Sequence, residues 1–304
     1  MGYITAKRAA ANWGISDRRV RVLCASGRID GVIEVEGAYL IPSDAPKPVD
    51  ARKLRGLRVS ERYSRLFLKI DALKADISSR RPLTQGELKR LKDEFLIEFT
   101  YNSNAIEGNT LTLKETALVL QGLTIDQKPL KDHLEAAGHK DAFLFIQGLV
   151  AFKENLTERI IKDVHSLVLI DRPEDKGVYR RIPVHIAGAY QEPPEPIMIA
   201  QLMEQLIRWF NNSKLHPIEL AAEFHLRFEG IHPFIDGNGR TGRLVLNLML
   251  MQSGYPPINV KFQDRKRYYD SFESYYRDST SVPMVEMIAG YLEMELQRIR
   301  RILS

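Results

Sequence analysis

The chain has 304 residues, 44% of them hydrophobic and 27% charged, which is typical of a globular protein with a substantial core. Its apolar runs, such as residues 244–251, are too short to cross a bilayer, and its N-terminal segment lacks the apolar core of a signal peptide. The single cysteine, Cys24, excludes an intrachain disulfide and cysteine-rich zinc sites. We therefore expect a cytoplasmic protein with no membrane partner.

The net charge of +5 is distributed unevenly. Residues 1–58 contain eleven Lys and Arg against six Asp and Glu, whereas the remaining 246 residues carry 33 of each sign. The whole positive excess therefore lies in one short N-terminal segment. This asymmetry predicts a separate module, for which DNA is one candidate partner.

The first 45 residues carry the signals of two short helices and a hairpin. Thr5 is a suitable N-cap for "AKRAAANW", which ends at Gly14, and Ser16 is a suitable N-cap for "DRRVRVLCAS", which ends at Gly27. The alternating stretch "GVIEVEGAYLIP" predicts a small hairpin around Gly37. The spacing is that of a helix-turn-helix followed by a wing.

The two faces of the second helix differ in character. Three residues can face a core and three arginines remain outside: Val20, Leu23 and Cys24 against Arg18, Arg19 and Arg21. Over residues 1–45 the pattern resembles excisionase- or MerR-like winged helix-turn-helix domains. The resemblance leaves DNA binding and protein binding both open.

A linker and a long helical region follow. Residues 46–58 are rich in proline and charge, which predicts a linker to a second domain at residues 59–304. The periodicity of that domain predicts ten helices, at about 60–79, 84–102, 112–122, 129–151, 156–170, 197–212, 217–231, 239–253, 264–277 and 282–302. Residues 172–196 are the long break, and within them "YRRIPVHIAGA" resembles a strand.

Near the end of one predicted helix, the stretch "YNSNAIEGNTLT" places Ser103 and Glu107 four residues apart, with Gly108 as a helix stop. On its own this is a surface carboxylate at a helix C-terminus, where the dipole slightly disfavours it.

The stretch "HPFIDGNGRTGR", residues 232–243, stands directly before the apolar run "LVLNLMLMQSGY". Gly237 and Gly239 tolerate positive φ and let a ligand approach the main chain around Asn238. The helix that follows adds its free N–H groups. Arg240 and Arg243 are three residues apart and so share a face of its first turn. The combination predicts a polyphosphate site.

Two further residues of the stretch suggest reaction chemistry. Asp236 could hold Mg²⁺ through one carboxylate oxygen while phosphate oxygens and water complete the coordination. His232 has a side chain that titrates near neutral pH and could remove a proton from an attacking hydroxyl. Each feature alone is more often structural, but their order within twelve residues favours a catalytic site.

The same stretch matches the Fic/Doc family signature, HPFx[D/E]GNGRxxR, at every defined position. The segments "HLRFEGIHPF" and "GVYRRIPVHIAGA" also resemble family sequences, so that the likeness covers about residues 60–300. It implies a mainly α protein in which the small winged helix-turn-helix precedes an all-helical Fic bundle with a β-hairpin flap.

The resemblance implies transfer of AMP from ATP to a Ser, Thr or Tyr hydroxyl of a target protein, with self-modification as one form of it. The implied roles are a general base (His232), a ligand of Mg²⁺ (Asp236), an anion hole (Gly237, Asn238 and Gly239) and phosphate-binding arginines (Arg240 and Arg243). Doc-type members, which phosphorylate, carry a bulkier turn. The intact Gly-Asn-Gly here favours adenylylation.

The earlier stretch matches the inhibitory (S/T)xxxE(G/N) motif of the family through Ser103, Glu107 and Gly108. By this resemblance Glu107 would pair with Arg243 and deny it to the γ-phosphate of ATP. ATP could still bind, but its α-phosphate would be misaligned for attack. Family members with this arrangement are often dimers.

The flap is expected at about residues 177–190. Val184 and Ile186 would lie on one side and His185 on the other, so that an exposed edge could pair with an extended target segment. Arg180 is interpreted as a flap residue, not a catalytic group.

The aromatic and histidine residues elsewhere are harder to assign. Tyr269 and its neighbour Tyr268 are candidates to contact the adenine, with core packing as the alternative. His165 and His225 lie on apolar helical faces and are expected to be core residues.

Two alternative functions remain open. The chain could be a DNA-binding regulator whose Fic-like domain senses nucleotides, or a Fic enzyme that removes AMP or transfers another group. The complete motif argues against an idle domain, since an idle copy has no need of His232. It does not distinguish between transferred groups.

Overall fold

The computed structural model describes residues 3–25, 29, 32–35, 38–43, 45, 51–186 and 191–303. The chain divides into two compact units, Met1–Ser64 and Arg65–Ser304. All strands of the described residues lie in the first unit, and the second unit is built from helices. The predicted mainly helical fold is therefore confirmed.

The first unit contains two short helices and an antiparallel sheet of order β1-β3-β2. Its elements are β1 (Tyr3–Thr5), α1 (Ala6–Trp13), α2 (Asp17–Ala25), β2 (Ile33–Val35) and β3 (Ala38–Pro42). Thr5 caps α1 by accepting from the Arg8 amide at 3.3 Å, and Gly14 ends α1 with a φ of 62°. Strand β1 was not predicted, because three residues are too few to show alternation.

The two faces of α2 differ as predicted. Val20, Leu23 and Cys24 are buried in the core of the first unit, whereas the arginines at 18, 19 and 21 are exposed. Gly27 and Gly37, predicted to end the helix and to turn the hairpin, lie outside the described residues. The order of helices and strands agrees with the prediction, but the winged helix-turn-helix identity stays a prediction.

Ten further helices occur in the described residues: α3 (Ala51–Ser78), α4 (Gln85–Ile106), α5 (Leu113–Leu120), α6 (Leu130–Phe152), α7 (Glu158–Val168), α8 (Ile199–Asn212), α9 (Pro217–Ile231), α10 (Asn238–Gln252), α11 (Arg265–Asp278) and α12 (Val282–Ile302). Each predicted helix has a counterpart. None of these helices has the length and apolar character that a membrane span requires.

Helix α3 begins earlier than the sequence suggested. Residues 51–58 are helical, so the second part of the predicted linker is wrong. The stretch "ARKLRGLR" consists of good helix formers apart from one glycine, and these residues continue into the helix that follows. Residues 46–50, which carry the prolines, lie outside the described residues.

Helix α10 is the central helix of the second unit. It packs against α9, α6, α7 and α4, and every residue from Asn238 to Leu250 except Gly239 is buried. In the middle of the helix the buried amide of Asn247 accepts from the Ile258 N–H at 2.7 Å and donates to the Ile258 carbonyl at 2.9 Å. The helix is thereby fixed, and its N-terminus becomes a rigid platform.

The predicted β-hairpin flap is wrong for the residues that the structure describes. Residues 178–186 form no strand. Pro183 has no N–H to donate, and the Arg180 amide donates to the Pro233 carbonyl at 2.9 Å instead of to a neighbouring strand. Residues 187–190 lie outside the described residues.

Replacing Asn247 by Ala tests the role of this amide in holding α10. The change leaves a buried N–H and a buried carbonyl without partners, which should lower the free energy of unfolding by roughly 2–4 kcal/mol. Chemical denaturation measures this loss. Lys114→Ala, at an exposed position of α5, is the control and should change stability by less than about 0.5 kcal/mol. Equal stability of the two variants would contradict the prediction.

Candidate active site

The loop between α9 and α10 holds His232 in an unusual backbone conformation. His232 ends α9 with φ of 49° and ψ of 59°, in the left-handed region that non-glycine residues rarely adopt. Its N–H donates to the Phe228 carbonyl at 3.0 Å, and its carbonyl accepts from Arg180 Nε at 2.9 Å. These bonds fix the direction in which the imidazole leaves the main chain.

Phe234 anchors the middle of the loop. It is fully buried, and its ring stacks on the His165 ring with centroids 3.6 Å apart. His165 Nδ1 accepts from the Gly177 N–H, so that Nε2 is the nitrogen that donates to the Asp236 carbonyl, both at 2.9 Å. His165 is therefore a buried and hydrogen-bonded residue, as expected, but it also joins the catalytic loop to residue 177.

The Asn238 side chain holds the loop closed. Its oxygen accepts from the Phe234 N–H and its nitrogen donates to the Phe234 carbonyl, both at 2.9 Å. Both of its polar atoms thus take part in closing the loop, and its main-chain amide is left for a ligand. The side chain shapes the anion hole without lining it.

The N-terminus of α10 supplies the donors of the predicted anion hole. The first N–H groups of a helix have no partners inside it, and here they belong to residues 238–240. Gly237 enters the helix with a φ of 75°, a conformation that favours glycine. Its own N–H donates to Asp236 Oδ1 at 2.6 Å.

The two signature arginines are buried and point to different acids. Arg240 Nη1 lies 3.0 Å from Glu135 Oε1, and its Nη2 lies 3.5 Å from Asp236 Oδ1. Arg240 therefore has an acidic partner on α6 and another in the loop. Both arginines are only 2% exposed, so neither is a solvated surface group.

Arg243 is bound by the segment that the sequence singled out as inhibitory. Its Nη2 donates to Glu107 Oε1 at 2.8 Å and to the Ser103 carbonyl at 2.7 Å, and its Nε donates to Ser103 Oγ at 3.0 Å. Ser103 lies in α4, Glu107 is the C-cap residue of that helix, and Gly108 follows with a φ of 96°. Residues at the C-terminal end of α4 thus hydrogen-bond to the guanidinium of Arg243 in α10.

Tyr268 completes the environment of Arg243. Its hydroxyl accepts from Arg243 Nη1 at 3.3 Å and lies 2.6 Å from His225 Nε2, to which it can donate. Burial and the charge of Arg243 lower the pKa of His225 to about 3, so His225 remains a neutral acceptor. Tyr268 and His225 are therefore buried residues that position Arg243, and because Tyr268 also lines the adjoining cavity, its contact with the adenine stays a prediction.

Glu107 also occupies the approach to the anion hole. A Cβ at position 239 would collide with Glu107 Oε1, so the carboxylate lies directly against the main chain of Gly239. An anionic ligand at these amides would meet both the volume and the negative charge of Glu107.

His232 is neutral at physiological pH. Burial lowers its pKa to about 4, and the charge of Arg180 acts in the same direction, against the smaller opposing effects of Glu107 and Asp236. A neutral imidazole can accept a proton, which is the state that a general base requires.

A cavity of about 340 Å³ opens between these groups. It is lined by residues that include His232, Gly239, Arg243, Glu107 and Tyr269. Tyr269 is 46% exposed and its hydroxyl donates to the Ile106 carbonyl at 3.2 Å. Its ring therefore borders the cavity from α11, and its hydroxyl ties α11 to the end of α4.

The flap residues alternate as predicted, although without a strand. Val184 and Ile186 are half-buried and His185 is exposed. Ile186 lines the cavity. The structure thus brings one of the three predicted docking residues to the site.

Glu229 is a cavity residue that the sequence analysis missed. Its carboxyl is buried, its Oε1 has no hydrogen-bond partner among the described residues, and burial together with the charge of Glu107 raises its pKa to about 8. The only signal in the sequence was its place one helical turn before His232. At neutral pH it is a protonated acid beside Arg243.

Asp236 can serve as a magnesium ligand. No group of three or more metal-ligating side chains exists in the part of the chain that the structure describes. A single carboxylate suits Mg²⁺ that is held mainly by substrate phosphates and water. The Asp236 side chain is 33% exposed, and the nearest cation to its Oδ2 is Arg172 at 4.0 Å. An oxygen is therefore available at the edge of the anion hole.

Comparisons with known proteins agree with this geometry. The family model described as Fic/DOC family matches residues 155–250. The protein adenylyltransferase Fic of Drosophila melanogaster is 36% identical over 260 residues, which are 84% of this chain and 49% of that protein. The chain thus spans about half the length of the curated relatives it matches.

Solved structures extend the likeness to the fold. A Fic domain containing signaling protein from Bacteroides thetaiotaomicron is 33% identical with a TM-score of 0.70, covering 77% of this chain and 96% of that one. Fic-1 from C. elegans is 28% identical with a TM-score of 0.73, covering 83% and 76%. Sequence signature, helical fold and relatives together show that the chain belongs to the Fic/DOC family.

Proposed function

We propose that this chain is a protein adenylyltransferase that moves AMP from ATP to a Ser, Thr or Tyr hydroxyl of a target protein. The observation that carries the proposal is the convergence of a neutral His232, the free amides of α10 and the buried Arg243 on one cavity. The relatives named as protein adenylyltransferases support the same activity.

The geometry suggests a division of labour in the reaction. His232 removes the proton of the target hydroxyl, the oxygen attacks the α-phosphorus, and the bond to the β-phosphate breaks with release of pyrophosphate. The amides of residues 238–240 and the two arginines stabilise the negative charge. Asp236 would hold Mg²⁺, which neutralises phosphate charge when bound. Tyr269 and Ile186 border the space available to the nucleotide and the target.

The Glu107–Arg243 pair supports autoinhibition of this activity. Glu107 Oε1 and Ser103 occupy the Nη2 and Nε donors of Arg243, so these donors cannot bind a γ-phosphate at the same time. The carboxylate also lies on the main chain that an α-phosphate oxygen would approach. Adenylyl transfer therefore requires Glu107 to leave this position.

Additional expectations go with the proposal. Residues Val184, His185 and Ile186 would contact the target segment, the protein would form a homodimer, and it would act in the cytoplasm. Removal of AMP or transfer of another group would use the same cavity, and the labelling experiment below distinguishes transfer of AMP from transfer of the γ-phosphate.

The first unit carries a second candidate function, binding of DNA. The exposed arginines of α2 favour it, since they share one helix whose other face is buried. Arg21 is already paired with Asp17 at 2.8 Å, which leaves Arg18 as the better candidate for a phosphate contact.

Covalent labelling with ATP tests the proposed activity. Label from α-labelled ATP should be low in the unmodified chain, at least about tenfold higher in Glu107→Gly, and absent from Glu107→Gly/His232→Ala. Glu154→Gly, which removes an exposed carboxylate just after another helix, is the matched control and should not activate. Label from γ-labelled ATP alone would instead indicate a kinase.

The pH dependence of Glu107→Gly tests the state of His232. With a pKa of about 4, the imidazole stays neutral, and the initial rate at saturating ATP should change by less than about twofold between pH 8 and pH 6. An ordinary histidine would lose about three quarters of its neutral form by pH 6. The rate should fall only as the pH drops towards 4. A midpoint near 6.5 would refute the assignment.

Binding of the full chain to duplex DNA, followed by fluorescence anisotropy at several salt concentrations, tests the second function. Arg18→Ala should weaken binding and reduce the salt slope by about 1, as expected for one lost phosphate contact. Arg159→Ala, an exposed arginine of α7, should leave both unchanged. Indistinguishable behaviour of the two variants would remove Arg18 from the interface.

A further inference from the structure

Arg180 stands out among the residues around the cavity that the proposed mechanism does not use. It is 4% exposed, and its three side-chain hydrogen bonds all go to main-chain carbonyls. Nε donates to His232, Nη1 to Ile182 and Nη2 to Pro194. One guanidinium therefore joins three separate points of the chain.

The first of these points is the left-handed backbone of His232. A non-glycine residue in this region carries a strain of order 1 kcal/mol and keeps the conformation only when its surroundings impose it. The Phe228 carbonyl holds the N–H of His232, and Arg180 holds its carbonyl. Without Arg180, only one of the two main-chain groups of His232 would remain bonded.

The other two points flank the segment that contains Val184, His185 and Ile186. Ile182 precedes it and Pro194 lies after it in the chain, so the main chain on both sides of it binds to the same group that binds His232. The Arg180 main chain adds a bond from its N–H to the Pro233 carbonyl at 2.9 Å. The segment and the catalytic histidine thus share one anchor.

We propose that Arg180 is a positioning residue that sets the register between His232 and the target-docking segment. The inference rests on the proposed adenylyl transfer. In that reaction Arg180 would align the general base, His232, with the hydroxyl of the target. Only arginine presents several donors in a fixed planar fork. A lysine at this position keeps the positive charge but cannot reach three diverging carbonyls at once.

The kinetic test uses Arg180→Lys in the activated Glu107→Gly chain. Because a misalignment of about 1 Å can cost up to about 100-fold in rate, we expect kcat to fall by about 10- to 100-fold. The KM for ATP should change by less than about twofold, since the phosphates are assigned to α10. Arg181→Lys, at the exposed neighbouring position, is the matched control and should leave both unchanged.

A second measurement does not depend on activity. Amide hydrogen exchange should accelerate in residues 178–186 and 228–234 of Arg180→Lys, and not in Arg181→Lys, because the shared anchor is lost. If Glu107→Gly transfers no label, the proposed activity fails while exchange still tests the anchor. Unchanged kcat, unchanged exchange, or a rise in KM together with a general loss of melting temperature would each overturn the proposal.

Discussion

Arg243 is the group on which the site depends, because a guanidinium that is 2% exposed must find its partners inside the protein. Two helices supply them: α4 through Ser103 and Glu107, and α11 through Tyr268, whose hydroxyl also contacts His225 of α9. The packing of α10 brings the arginine to this place. A nucleotide that binds the Nη2 or Nε donors of Arg243 must therefore displace Glu107 or Ser103, and of these partners only Glu107 is charged.

The rest of the loop is organised so that its polar groups have fixed directions. The Asn238 side chain hydrogen-bonds to the main chain of Phe234. His165 donates to the Asp236 carbonyl, and Arg180 donates to the His232 carbonyl. These side chains can fix the geometry of the loop without contacting a nucleotide. Reactive groups that are held by buried neighbours lose little freedom when substrate arrives, and this preorganisation is the main way in which a protein accelerates phosphoryl transfer.

The sequence predicted the helices of the second unit well, because apolar periodicity and capping residues are local signals. Thr112 and Glu115, for example, form a capping box at the start of α5. The signature stretch likewise placed the loop and α10 correctly. Where prediction failed, the deciding interactions were distant in sequence. Strand β1 depends on its pairing with β3, and Arg180 in the flap bonds to Pro233 instead of to a neighbouring strand. Residues 51–58 differ, because their good helix formers extend α3 into the predicted linker.

The roles of several side chains were also impossible to predict from the sequence, because they depend on contacts between distant residues. Glu229 and Arg180 gain their importance from what surrounds them, and no spacing rule in one sequence reveals that a carboxyl is buried beside Arg243 or that a guanidinium reaches residue 194. Asn238 was assigned to the ligand because of its place between two glycines. Its two hydrogen bonds to Phe234 could be found only from coordinates.

The two members of the central ion pair differ in their access to water. The Arg243 side chain is 2% exposed and the Glu107 side chain is 32% exposed, so the arginine is the fixed member and the glutamate is the one that can exchange with solvent. Departure of Glu107 leaves a buried cation uncompensated, which is strongly unfavourable. A phosphate anion that arrives at the same moment removes that penalty. In the proposed reaction, release of the glutamate and binding of the nucleotide would therefore be one exchange of anions on a single buried cation, and each step would favour the other.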